Sequence, residues 1–182
     1  MKKEENITYD KVKKITLTGL MIAIVFVSGS IIKIPTINGF MQMGDCMVFL
    51  SAVLLGRKYG FLAAGIGMAL VDASGGYIAW IPFTFIIKGC MALCAASIIL
   101  KYKKKNIRTF LIAFVIGGLV DIIGYFIANA IMGGIIVNAS NGFDGSVVYA
   151  IAHVPGDLIQ VVFGIIIATI IAPVVYRLRN NI

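Results

Sequence analysis

Residues 44–72 read GDCMVFLSAVLLGRKYGFLAAGIGMALVD, with Arg57-Lys58 the only charges between Asp45 and Asp72. Each flanking apolar run has about a dozen residues, which at ~1.5 Å per residue covers roughly 18 Å of a bilayer core about 30 Å thick. A re-entrant hairpin would explain that shortness. It would also strand Arg57 and Lys58 near the bilayer centre, at about 2.5 to 3.5 kcal/mol each. Two short crossings that borrow residues from their flanking loops cost less. The stretch therefore predicts helix 2 at 44–55 and helix 3 at 59–71, joined by a turn on one membrane surface.

Working outward, the other bases name that surface. All but Lys33 and Lys88 fall in four polar segments: Lys2 to Lys14, Arg57-Lys58, Lys101 to Arg108, and Arg177 with Arg179. The positive-inside rule puts these four in the cytoplasm and the connections 33–43, 72–82 and 133–146 outside. The chain then reads as an all-α integral membrane protein with six transmembrane helices and both termini cytoplasmic. A basic N-terminus at 1–14 precedes helices at about 15–32, 44–55, 59–71, 83–100, 110–132 and 146–176. With no repeat or linker, residues 1–182 form one transmembrane domain. The outer connection before helix 6, rich in Gly and Asn, is not expected to be helical throughout.

Composition removes other classes. Of the 182 residues 60% are apolar and 13% charged, against about half and a quarter in a soluble domain. The formal charge of +8 sits at helix ends, where anionic headgroups attract it, so no nucleic-acid partner is expected. Glu4, Glu5 and Asp10 among the first bases, and the lack of a small-residue cleavage site, argue for a retained first helix. Cys46, Cys90 and Cys94 lie in apolar segments and suggest neither a disulfide framework nor a metal site. No phosphate-cradling G-x-x-x-x-G-K-[ST], G-x-S-x-G or H-E-x-x-H occurs, so no catalytic residue, cofactor or ATPase is assigned.

Binding or passage of a solute remains, and polar residues spaced by three or four mark it. Helix 4 carries Thr84 and Lys88, helix 5 Asp121, Tyr125 and Asn129, and helix 6 His153, Asp157 and Gln160, each set on one helix face. Thr84, Lys88, Asn129, His153 and Asp157 fall in the outer half and should converge on a cavity open to the outside. Lys88 is a costly intramembrane ion whose nearest candidate partners are Asp157 and Asp121. Tyr77, Trp80 and Phe83 near Pro82 fit an interfacial belt or a stacking surface. Asp45, at the outer end of helix 2, joins the candidate substrate-binding set; Asp72 holds the same place on helix 3.

Small residues spaced by four form a second system: Gly19 and Ala23, Gly65 and Ala69, and Gly164, Ala168 and Ala172. Internal packing is the default reading, and an external helix is the rival for Gly19 and Ala23. The run LTGLMIAIVFV, the Gly44-Asp45 pair, the turn Leu55 to Gly60, the segment Ala69 to Asp72, and Pro82-Phe83 through Lys88-Gly89 together resemble the S components of energy-coupling factor (ECF) transporters, the riboflavin-type group in particular. The resemblance implies a six-helix subunit that binds a vitamin from outside and topples in the membrane. It also implies a transmembrane coupling protein and two ATPase subunits as partners. Its first helix usually shows A-x-x-x-A; here Gly19 and Ala23 stand in those places.

A cavity with Tyr125, Tyr149, Phe143 and His153 beside Asn129, Lys88 and Asp157 suits a small heteroaromatic with hydroxyls. A pyridoxine-like or hydroxymethylpyrimidine-like ligand is favoured, with riboflavin and pantothenate as further candidates. Two other classes stay open: a stand-alone secondary carrier or channel using a site such as Asp121, and a membrane structural protein whose polar stripes lock helices together.

Overall fold

On the helix Ile107–Ile136 the exposed side chains include Leu111, Ile112, Val115, Leu119, Ile123 and Ile127, while Ala113, Gly117, Gly118, Asp121 and Asn129 are among the buried ones. A helix in water would reverse that arrangement, hiding aliphatics and exposing polar groups. Lipid inverts the rule, because it solvates the aliphatic face and leaves small and polar residues to pack between helices.

The computed structural model describes residues 2–31, 33–36, 39–136 and 142–181. Its elements are α1 (Lys2–Ile31), β1 (Lys33–Thr36), β2 (Gly39–Gln42), α2 (Asp45–Gly75), a 3₁₀ turn (Ile78–Trp80), α3 (Ile81–Lys101), α4 (Ile107–Ile136) and α5 (Gly142–Asn181). Among the described residues five helices are long and apolar enough to cross a membrane.

The expected apolar runs are helical, as five membrane-length helices among the described residues where six were expected, and with corrections at their ends. The polar start of the chain is helical from Lys2. The connection at 33–43 contains paired antiparallel strands, in which Lys33 pairs with Gln42 and Thr36 with Gly39. Helix 3 continues through Asp72 to Gly75. There Gly76 adopts φ 82°, and the N–H of Tyr77 donates to the Asp72 carbonyl at 2.9 Å. A left-handed glycine cap of this kind satisfies the last carbonyls of a helix. The connection before the last helix narrows to 137–141, which lies outside the described residues, as does the side chain of Phe143.

Residues 45–75 count as one helix only by continuity. Gly56 interrupts them at φ 76°, ψ −158°, a backbone region essentially closed to other residues. The chain folds back at that point. A Cβ on Gly60 would stand 3.2 Å from the Ala52 Cα, and the Ser51 hydroxyl lies 3.3 Å from the Gly60 carbonyl. In a straight helix residues eight apart are about 12 Å distant, so the two halves run side by side. Arg179 of α5 closes the turn, donating from Nη1 to the Val53 carbonyl at 2.9 Å.

Close approach of helices depends on the small residues. A Cβ on Gly65 would meet the Phe85 carbonyl at 2.7 Å, and one on Gly164 would meet the Asp45 Cβ at 2.8 Å. Ala168 and Ala172 are fully buried. These glycines and alanines pack inside the chain. Gly19 and Ala23 do not: both are exposed, and a Cβ on Gly19 meets nothing within 4 Å. The face they share with Ile15, Leu20 and Val27 is open.

Candidate functional site

Four helices each send one side chain to a buried hydrogen-bonded chain, and the hairpin adds a backbone N–H. Gly44 and Asp45 begin α2, so the Asp45 carboxylate enters the bundle at its first turn. Lys88 lies two turns into α3, and Asp121 halfway along α4. The Lys88 ammonium donates to Asp45 Oδ1 at 2.6 Å and to Asp121 Oδ2 at 3.0 Å. Gln160 of α5 donates from Nε2 to Asp45 Oδ2 at 3.0 Å, and its Oε1 accepts the N–H of Gln42 at the end of β2, also at 3.0 Å. Asp45, Lys88 and Asp121 are each 0% exposed. In a membrane-spanning bundle, removing one member of such an ion set leaves the others uncompensated.

This arrangement corrects the expectation for Lys88. Its partners are Asp45 and Asp121, and Asp157 is not among them. The choice follows from the path of α2: the outer helix end that sequence alone offers to solvent is turned inward by the hairpin and packed against Gly164.

Beside the ion set lies a cavity of about 110 Å³. A single water needs roughly 10 to 15 Å³ of such space, so several waters or one small ring fit. Its wall consists of Gln42, Asp72, Tyr77, Trp80, Thr84, Tyr125, Asn129, His153, Asp157 and Gln160. Eight of the ten predicted site residues are among them. Lys88 and Asp45 are not; they stand behind the wall, joined to it through Gln160 and through Tyr125, whose ring centroid is 5.0 Å from Lys88 Nζ.

The wall is organised by its own hydrogen bonds. The Tyr125 hydroxyl donates to Thr84 Oγ1 at 3.2 Å. His153 Nδ1 is 2.8 Å from the Tyr149 carbonyl, and the two rings meet at a tilt of 43° with centroids 4.4 Å apart. Trp80 leans on Phe83 at 6.4 Å while bordering the cavity with Tyr77, so the aromatic cluster at the α3 start covers the site.

Two wall residues lie outside the expected binding set: Asp72, read as a helix end, and Gln42. Gln42 sits in a connection to which no strand was assigned; the alternation of β1 and β2 was the available signal. No group of three His, Cys, Asp or Glu residues able to hold a metal occurs among the described residues.

A family model for the ECF-type riboflavin transporter S component matches residues 9–177. The chain belongs to that family. This S component is 26% identical over 169 residues, 91% of its length and 89% of the relative's, to a thiamine precursor transporter, HmpT, of Lactococcus lactis subsp. cremoris (strain MG1363). It is also 34% identical over 139 residues, 75% of its length and 82% of the relative's, to an uncharacterized protein of Pyrococcus woesei. Two crystal structures share its fold. The S component for biotin of an ECF-type ABC transporter superposes with TM-score 0.59 at 23% identity, covering 94% of this chain and 93% of the other. The S component of a bacterial ECF transporter gives 0.62 at 20%, covering 94% and 97%. ECF S components are membrane-spanning transport subunits for vitamins, not enzymes, and they work with an ECF module.

Proposed function

We propose that this S component captures a small water-soluble vitamin or vitamin precursor from outside the cell, with a hydroxymethylpyrimidine-like ligand favoured over a pyridoxine-like one, and passes it to a separate coupling protein with two ATPase subunits. The observation that carries the reading is the small polar cavity, walled by three aromatic rings and by amide, hydroxyl and imidazole groups. The relative HmpT, a thiamine precursor transporter covered over most of its length, moves the preference toward the pyrimidine. Riboflavin would need more room than one small ring does.

The fold-back at Gly56 supports six crossings, because it returns the chain to the surface it left. The base distribution supports cytoplasmic termini. A single cysteine at Ser74, in a chain lacking Cys46, Cys90 and Cys94, should react with an impermeant thiol reagent from outside. Labelling of Lys104→Cys from that side would reverse the orientation.

In proteoliposomes, labelled hydroxymethylpyrimidine should accumulate only when the ECF module and ATP are both present. Accumulation driven by an ion gradient without the module would instead support a stand-alone carrier, for which Asp121, with its Oδ1 buried and unpartnered, would be the ion site.

A further inference from the structure

We infer, resting on the reading of this cavity as the vitamin site, that its ligand presents hydrogen-bond donors and carries no negative charge. Among the described wall residues two are carboxylates, Asp72 and Asp157, and none is lysine or arginine. The cation behind the wall, Lys88, already faces two carboxylates and so carries one positive charge against two negative ones. Among the described wall residues an arriving carboxylate or phosphate would find no lysine or arginine to replace its water, and like charge at close range is unfavourable.

Three of the wall's donors point the same way, because they are turned toward the protein. The Tyr125 hydroxyl donates to Thr84, and Gln160 Nε2 donates to Asp45. A carbonyl oxygen only accepts, so the contact between His153 Nδ1 and the Tyr149 carbonyl places the ring proton on Nδ1. In the neutral imidazole Nε2 is then an acceptor, and it is buried without a partner. Asp157 lies four residues on, hence on the same face of α5. Two acceptors one helical turn apart fit a ligand with an exocyclic amine beside a hydroxyl or a ring N–H. Asn129, with an amide of either polarity, completes the set without altering its charge.

The sole tryptophan of the chain, Trp80, is on the wall, so its fluorescence reports binding to the full-length protein in lipid nanodiscs. The probes are 4-amino-5-hydroxymethyl-2-methylpyrimidine, the analogue without the amine, and the analogue with a carboxylate in place of the hydroxymethyl group. The parent should bind, the des-amino analogue at least about tenfold more weakly, and the carboxylate at least about 100-fold more weakly, which corresponds to the few kcal/mol of charge repulsion. Asp157→Asn should reduce the penalty on the carboxylate to tenfold or less. A carboxylate that binds within tenfold of the parent, or a penalty unchanged in Asp157→Asn, would overturn the inference. If no pyrimidine binds while biotin or pantothenate does, the inference falls and the vitamin-site reading stands. If no vitamin in a panel binds, both fall.

Discussion

Lys88→Met should destabilise the folded protein by about 3 to 5 kcal/mol, the usual consequence of leaving buried charges without their partner. The ammonium it removes is 0% exposed and sits 2.6 Å and 3.0 Å from two carboxylates that are equally buried. Those carboxylates belong to α2 and α4, so the loss separates helices on both sides of α3. Thermal unfolding of purified protein should show the change together with reduced yield. The triple variant Lys88→Met, Asp45→Asn, Asp121→Asn removes the charges as a set and should recover most of the loss. A single variant as stable as the wild type would deny the triad its structural role.

Gly19→Leu together with Ala23→Leu should abolish ATP-driven uptake and co-purification with the ECF module while leaving ligand affinity of the isolated protein within about twofold. The structure removes the main alternative, internal packing. Both residues are exposed, and nothing lies within 4 Å of a Cβ built on Gly19. Two leucines there add bulk only to the surface on which another helix would approach the α1 backbone. The cavity draws its wall from other elements, α2 to α5, the 3₁₀ turn and β2, so it should not sense the change. Combined loss of folding and binding in the double variant would return the patch to internal packing. Normal uptake would remove it from coupling.

The membrane class and most of the cavity were legible in the sequence because both rest on periodic signals. Long apolar runs punctuated by bases mark where membrane helices lie, and polar residues at intervals of three and four must share a face. Thr84, Asn129, His153, Asp157 and Gln160 were found in this way, and all border one cavity. Gly56 was legible indirectly, through the cost of burying Arg57 and Lys58. Pairing between helices was not legible, since spacing says which face a side chain occupies and nothing about which helix it meets. Lys88 was therefore offered Asp157 and Asp121 on paper; in the fold it meets Asp121, with Asp45 in place of Asp157.

Asp45 shows the same limit from the other side. At a helix end it reads as solvent-facing, and only the hairpin at 33–42 and the glycine at 164 turn that end inward. Gly19 and Gly164 are alike as sequence, each four residues from an alanine. Tertiary packing separates them, leaving one open to lipid or a partner and burying the other against Asp45. Strands of four residues each carry too few positions for their alternation to stand out, which is why Gln42 went unnoticed.

Capture of a vitamin by this chain alone is the central claim, and the molecule released from protein purified gently in mild detergent tests it most directly. Denaturation followed by mass spectrometry should yield close to one equivalent of a vitamin or vitamin precursor, a hydroxymethylpyrimidine in the first instance. Protein that is folded and monodisperse yet releases only lipid, and that takes up no vitamin when one is added, would contradict it.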